Sequence, residues 1–290
     1  MNAPAASFSY TWRFRLVLLM LSLLGVLVAA KIVYLHLFED EFLKGQGDAR
    51  SLRVVSIPAH RGLILDRNGE PLAVSAPVES TWFDPREFVA DKPQLRLLAK
   101  ALDMPFERLQ RLIEASVDKK FVYLSRQMAP TDAQQVLALG IPGVYSQSEY
   151  KRYYPAAEVA THLVGFTNVD GVGQEGMELA YEEWLQGSEG SKRVLKDRVG
   201  RTIKDIQDLT QANPGKDLSL SIDLRIQYLA YRELKAAVQQ HRARSGSAVV
   251  LDVATGEVLA MVNQPSYNPN DRSDLKVAHL RNRATTDTFE

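Results

Sequence analysis

Two tetrads, Ser116-Val117-Asp118-Lys119 and Ser273-Asp274-Leu275-Lys276, set a serine hydroxyl three residues before a lysine amine. On a helix this is one turn, close enough for the amine to ease removal of the serine proton and create a nucleophile for acyl transfer. Composition argues against both strings. With 19 serines and 13 lysines in 290 residues, about one such string arises by chance. Ser116 falls at the end of an expected helix, and Ser273 in a polar loop. Ser266-Tyr267-Asn268 imitates a second element of serine acyl transfer but precedes Ser273 in the chain, and no Lys-Thr-Gly or Lys-Ser-Gly string occurs. Ser116 and Ser273 are expected to be as inert as ordinary surface serines.

Other chemistries find less support. His36, His60, His162, His241 and His279 are scattered without ligand spacing, so no metal site is expected. The absence of cysteine excludes disulfides, Cys-ligated zinc and thiol catalysis. Glu175 and Glu178 lie one helical turn apart, where a solvated or salt-bridged face accounts for them. Gly171-Val172-Gly173 lacks the Lys-Ser/Thr of a phosphate loop. Lys plus Arg equals Asp plus Glu at 35 each, so no global field favours nucleic acid.

The elements that must position any site begin with an apolar run, Leu16 to Phe38. A helix of that length measures roughly 35 Å, enough for a ~30 Å hydrocarbon core with modest tilt. Trp12 and Tyr34 fall near the two interfaces, and the stem of Lys31 can reach the headgroups. Arg13 and Arg15 precede the run and Glu39-Asp40-Glu41 follow it, which predicts a cytoplasmic N-terminus and puts residues from about 39 onward outside. Val28-Ala29-Ala30 offers a cleavage site for a signal peptidase, but the apolar run continues past it, so an uncleaved anchor is expected.

Residues 52–83 read as β structure, with Asn68-Gly69 turning a hairpin before Leu72-Ala73-Val74. Helical spacing follows in Leu95, Leu98 and Leu102, and then in Leu109, Leu112 and Ile113, with Pro93 and Pro105 in first turns. Further helices are predicted over Thr131–Leu139 and Glu175–Gln186, and a hairpin over 192–206 turning at Gly200. Asn213-Pro214-Gly215 is the strongest boundary signal in the soluble part. Beyond it come a strand over Leu218–Ile222, a helix capped by Asp223, and a strand pair joined at Thr255-Gly256, which open an α+β domain. About 75 residues there cannot close a domain comfortably. The expected division is a tail at 1–15, an anchor at 16–38, a membrane-proximal domain at 39–215 and the start of a second domain at 216–290.

Arg61-Gly62-Leu63-Ile64-Leu65-Asp66-Arg67-Asn68-Gly69 resembles a signature of the class B penicillin-binding proteins. The resemblance recurs at Arg152-Tyr153-Tyr154-Pro155, at Ala160-Thr161-His162-Leu163-Val164-Gly165, and from Gly171 through Gly173 and Glu175 to Glu178. It continues at Asp197 with Gly200, at Leu220-Ser221-Ile222-Asp223 with Gln227, at Thr255-Gly256-Glu257 and from Pro265 to Asn270. Each match alone is weak; their order over about residues 50–290 is specific. Leu72-Ala73-Val74-Ser75 with Pro77-Val78 looks more like the division-specific (septal) branch.

The resemblance implies an α+β pedestal followed by a β-lactamase-like transpeptidase domain. It implies that the parent protein cross-links septal peptidoglycan through an acyl-serine, that β-lactams acylate the same serine, and that no cofactor takes part. Implied partners are peptidoglycan stem peptides, the inner membrane, a lipid-linked-glycan polymerase and other division proteins; the outside of that membrane is then the periplasm. The matched residues are expected to be structural, His162 included. Asn282 to Glu290 is similar to the segment that runs into Pro-Gly-Ser-x-x-Lys, so the nucleophile is expected just beyond Glu290 and these 290 residues alone are expected to be inactive. The alternative is a non-enzymatic, membrane-anchored scaffold of cell division.

Overall fold

The structure, a computed structural model, describes residues 11–38, 52–196 and 202–288. Helix α1 (Thr11–Phe38) is continuous over 28 residues. Its stretch Trp12–Tyr34 is apolar over 23 residues and buried against no protein, which gives it the length and composition to cross a membrane. Lys31 Nζ sits 4.7 Å from the centroid of the Tyr34 ring, a cation–π contact at the end where the amine must find a partner. The tail before Thr11, the Glu39-Asp40-Glu41 cluster and the pair Asp197 and Gly200 lie outside the described residues.

The sheet that organises the soluble part is built on β3 (Pro71–Phe83). Its outer half pairs antiparallel with β5 (Val144–Tyr153) from Val74↔Tyr153 to Phe83↔Val144, and with β4 (Val122–Met128) on the other side. Its inner end pairs with the short β2 (Ile64–Leu65), which pairs in parallel with β8 (Leu218–Ser219). Strand alternation turns Phe83, Val122, Leu124 and Val144 to one face. There α2 (Lys92–Ala101), α3 (Phe106–Glu114) and α4 (Pro130–Ala138) cover them with Leu98, Leu109 and Val136. Leu98 and Leu109 are fully buried, each worth about 1.5–3 kcal/mol relative to exposure. Helix α2 starts with a capping box, in which Asp91 accepts from Gln94 N at 2.8 Å and Gln94 Oε1 accepts from Asp91 N at 3.0 Å.

A second core joins distant parts of the chain. Ile64, Leu72, Tyr154, Val164 and Phe166 pack with Leu185 and Tyr267, and Leu224, Leu275 and Leu280 close around them. Helix α5 (Thr161–Val164) lies in this core. The segment at residues 213–215 is accordingly packed: Gly215 N donates to His60 O at 2.8 Å and Lys216 N to Trp184 O at 3.0 Å. A separate sheet of order β1-β6-β7 unites β1 (Leu52–Ile57) with β6 (Gly190–Lys196) and β7 (Thr202–Thr210).

One predicted element is corrected. The helix expected over Glu175–Gln186 is two short ones, α6 (Gly176–Ala180) and α7 (Glu182–Leu185), broken at Tyr181. A continuous helix would pair the Glu178 carbonyl with the Glu182 N–H. That carbonyl instead accepts from Arg61 Nη2 at 2.9 Å.

The Asn68-Gly69 hairpin forms as read, with Ile64↔Ala73 and Leu65↔Pro71 in register. Gly69 has φ +85, with nothing within 4 Å of an added Cβ. The strain of a side chain there is therefore purely conformational. Gly69→Val is expected to cost about 1 kcal/mol or more and to lower the midpoint of thermal unfolding by roughly 2–4 °C. An unchanged midpoint would mean that the turn tolerates a β-branched residue.

Helix α8 (Leu224–Gln240) packs on the antiparallel pair β9 (Gly246–Leu251) and β10 (Val258–Gln264). Two short helices, α9 (Val277–Leu280) and α10 (Arg283–Thr286), follow.

Candidate functional site

Three of the residues singled out by motif meet in one buried cluster. Glu178, with no exposed surface, lies between two guanidinium groups. Arg61 Nε donates to its Oε2 at 2.7 Å and Arg152 Nε to its Oε1 at 2.7 Å. Arg61 also donates to Glu182 Oε2 at 2.7 Å and to the Gly171 carbonyl at 3.2 Å, while Gly173 N donates to the same Glu182 oxygen at 2.8 Å. Arg152 Nη1 reaches Ser75 Oγ at 3.0 Å. Burial opposes the charge on Arg61, but Glu182 and Glu178 outweigh it and raise its pKa further. Two arginines and two glutamates balance, which is what a buried ionic cluster needs. Closed to solvent and committed to guanidinium groups, Glu178 has no access to a substrate proton. The cluster ties β5 and the loop before β2 to helices α6 and α7. The solvated face expected for Glu175 and Glu178 is thus wrong for Glu178, and the salt-bridged one is right.

Several other motif residues line a seam between residues 60–180 and the chain beyond 216. Asp66 is 2% exposed and accepts from the N–H groups of Asn68 at 2.7 Å, Glu70 at 2.8 Å and Leu224 at 3.1 Å. Burial alone would push its carboxyl up, but the Leu224 and Glu70 amides, with Asn68, bring it below the usual value. It thereby closes the hairpin and meets the first turn of α8, whose N-cap is Asp223, accepting from Arg225 N at 3.0 Å. The Arg225 side chain holds the Asp223 carboxyl well below the usual carboxylate range. Arg67 reaches Glu257 at 3.3 Å, beside the turn where Gly256 has φ +74.

Gln227 is fully buried and fully paired. Its Nε2 donates to the carbonyls of Val159 at 2.7 Å and Met261 at 2.8 Å, and its Oε1 accepts from Met261 N at 2.8 Å. Asn270 clamps the Tyr154 backbone, accepting from its N–H and donating to its carbonyl, both at 2.9 Å. The Tyr154 hydroxyl in turn accepts from Thr167 N at 2.9 Å. Pro155 lines an open cleft with Asp66, Glu70, Leu224 and Tyr228.

His162 Nε2 lies 2.8 Å from the His279 carbonyl; since a carbonyl only accepts, that nitrogen carries the proton. Burial keeps the His162 pKa low; the His279 carbonyl opposes this, and the charge of Arg283 adds to it. Gly165, with φ +78, lies where an added Cβ would stand 1.8 Å from the Glu175 carbonyl. Gly62 N donates to Leu185 O at 2.9 Å, and Pro265 follows β10 through a cis peptide bond.

None of the serine strings assembles a nucleophile. Ser116 is 1% exposed: the chain folds it in just past α3, at the helix end expected, and Lys119 meets it through the backbone, N to O at 2.9 Å. Ser273 Oγ donates to Asp271 Oδ1 at 2.8 Å, and Ser266 Oγ to the Glu158 carbonyl at 2.8 Å. A third string, Ser148-Glu149-Tyr150-Lys151, escaped the sequence reading. It lies in β5, where residues three apart point to opposite faces, and Ser148 Oγ donates to Glu79 at 2.7 Å.

Residues 56–220, more than half of the chain, match the family described as the Penicillin-binding Protein dimerisation domain. The chain belongs to the penicillin-binding proteins. Residues 246–290 match the Penicillin binding protein transpeptidase domain. The chain is 46% identical over 279 residues to the probable peptidoglycan D,D-transpeptidase PbpC of Pseudomonas aeruginosa, covering 96% of this chain and 49% of that protein. It is 44% identical over 285 residues to the peptidoglycan D,D-transpeptidase FtsI of Escherichia coli, covering 97% of this chain and 48% of that one. The chain thus spans about half the length of the curated relatives it matches. A solved structure of the complex between penicillin-binding protein PBP2 and MreC from Helicobacter pylori aligns with a TM-score of 0.56 at 23% identity, covering 76% of this chain and 44% of that one. That likeness concerns the fold alone.

In this penicillin-binding protein chain the two matched ranges meet along the seam, through Asn270 on Tyr154 and Ser266 on Glu158. Sequence reasoning missed three contributors. Glu182 carried a signal, standing one turn after Glu178 with a second carboxylate. Glu158, bonded to the Tyr231 hydroxyl and to Lys235 Nζ at 3.0 Å, carried none; its partners stand one turn apart on α8. Asn263, a buried amide in an apolar strand, was visible only as a break in the run Val258–Val262.

Proposed function

We propose that the full-length protein is a class B, septal-branch D,D-transpeptidase that cross-links peptidoglycan, with this chain supplying its anchor, its pedestal at 39–215 and the opening of its catalytic domain at 216–290. The observation that carries the reading is the continuity of two family matches across one packed seam. Support for the substrate class comes from relatives at 46% and 44% identity that bear the name peptidoglycan D,D-transpeptidase. In the proposed reaction a serine hydroxyl attacks the carbonyl of the penultimate D-Ala of a stem peptide. Its proton passes to the base, the terminal D-Ala leaves, and an amine of a second stem then takes the acyl group and frees the serine. β-Lactams would acylate the same serine. The residues described above supply none of these steps. Their part is to hold the pedestal and the catalytic domain in one orientation.

The anchor reading is that α1 crosses the inner membrane once, with the N-terminus in the cytoplasm, and that the pedestal meets a lipid-linked-glycan polymerase and other division proteins outside. Two results are expected. The protein remains with membranes after carbonate extraction, and a reporter fused after Asp40 is active only outside the cytoplasm. Recovery in the soluble periplasmic fraction contradicts the anchor, and cytoplasmic reporter activity contradicts the orientation.

The activity is tested with a fluorescent penicillin on the full-length protein. One covalent adduct is expected, mapping to a Ser-x-x-Lys serine C-terminal to residue 290. A folded full-length protein that takes up no label favours the scaffold instead.

A further inference from the structure

A single buried amide holds the segment that approaches the expected nucleophile. Asn263, near the end of β10, is 2% exposed. Its Oδ1 accepts from the Ala284 N–H at 2.8 Å and from the Ser247 hydroxyl at 2.7 Å, and its Nδ2 donates to Asn282 Oδ1 at 2.8 Å. The orientation is determined by the partners: a backbone N–H only donates, so the oxygen faces Ala284 and the nitrogen faces Asn282. Asn282 is the N-cap residue of α10, and Ala284 lies in its first turn. One side chain of the sheet therefore holds α10 at two points, its N-cap residue and its first turn.

The other polar contacts of α10 are of a different kind. Asp287 pairs with Arg281 at 2.7 Å and with Arg283 at 3.1 Å, and Arg281 donates to the Thr286 hydroxyl at 3.0 Å. These bonds close the turn on itself, and a longer contact of Arg283 Nη2 with the Ala278 carbonyl at 3.4 Å runs to α9. Asn263 ties it to the β9–β10 sheet, and the weaker contact of Asn282 Nδ2 with Met261 Sδ at 3.5 Å runs to the same strand.

We propose that Asn263 is a positioning residue for acyl transfer, holding α10 where the chain beyond it presents the serine. This rests on the transpeptidase reading above. The amide touches no reacting atom; it acts through the backbone of residues 282–284. A displacement of ~1 Å at a reacting centre can cost about 100-fold in rate, whereas the pre-covalent encounter of a β-lactam with the rest of the site does not depend on that placement.

The test uses the full-length protein and a fluorescent penicillin, with the pre-covalent dissociation constant and the first-order acylation constant separated by stopped flow. Asn263→Ala is expected to lower the acylation constant by about tenfold or more while the pre-covalent constant stays within about twofold. Asn263→Asp, which keeps acceptors for Ala284 and Ser247, is expected to recover part of the loss. If Asn263→Ala does not fold, Asn282→Ala decides the matter, because it removes the N-cap half of the link from a partly exposed turn and leaves only the Ala284 bond; about a threefold loss in acylation is expected. A folded Asn263→Ala, or in its absence a folded Asn282→Ala, that acylates at the wild-type rate overturns the assignment alone. A wild-type protein that is not acylated overturns the functional reading and the assignment with it.

Discussion

Replacing Glu178 with alanine is expected to destabilise the folded unit by about 3–5 kcal/mol, the cost of breaking a buried ion pair from one side. The carboxylate accepts from Arg61 and Arg152 at 2.7 Å each and is sealed from solvent. Its loss leaves two guanidinium groups buried, with Glu182 alone to answer Arg61. Space opens as well, since alanine fills only part of the glutamate's volume. At roughly 2–4 °C per kcal/mol for a unit of this size, the unfolding midpoint should fall by roughly 6–20 °C. Glu183→Ala, on the exposed side of α7, should change stability by no more than about 0.5 kcal/mol. Equal midpoints for the two variants would mean that the cluster contributes nothing beyond surface charge.

Local chemistry made much of this fold legible. Pro93 and Pro105 announced two helix starts, Asn68-Gly69 a hairpin, and the spacing of Leu98 and Leu109 two core-facing stripes; each follows from residues within one turn of one another. The order of motifs was also readable, and its family reading agrees with the matches at 56–220 and 246–290. What the motif residues do was not readable, because their partners are distant in the chain. Arg61 finds Glu178 117 residues away, and Asp66 finds Leu224 at 158. The break at Tyr181 has the same origin: local periodicity supports a single helix, and a guanidinium from another element takes the carbonyl that would continue it. Asn263 was visible only as a break in an apolar run, because its partners at the start of α10 lie 19 and 21 residues on.

Penicillin should leave this 290-residue chain unlabelled, even at high concentration and long exposure. Acylation needs an activated hydroxyl beside donors that stabilise the oxyanion, and losing one member of such a unit already removes most of the rate. Here Ser116 is buried, Ser266 and Ser273 donate to their own acceptors, and Ser148 stands on the opposite face of β5 from Lys151. The 290 residues contain no Lys-Thr-Gly or Lys-Ser-Gly string. Intact-mass analysis is expected to find only the unmodified protein. A stoichiometric adduct mapped to Ser116, Ser148, Ser266 or Ser273 would overturn the dismissal of these serines.

The most direct test of the central claim is a transpeptidation assay on the full-length protein, with a stem-peptide donor ending in D-Ala-D-Ala and a second stem as acceptor. The account predicts release of one terminal D-Ala for each new cross-link, abolished when the protein is first acylated by penicillin. A folded, membrane-anchored protein that releases no D-Ala, or releases it undiminished after penicillin treatment, would contradict it.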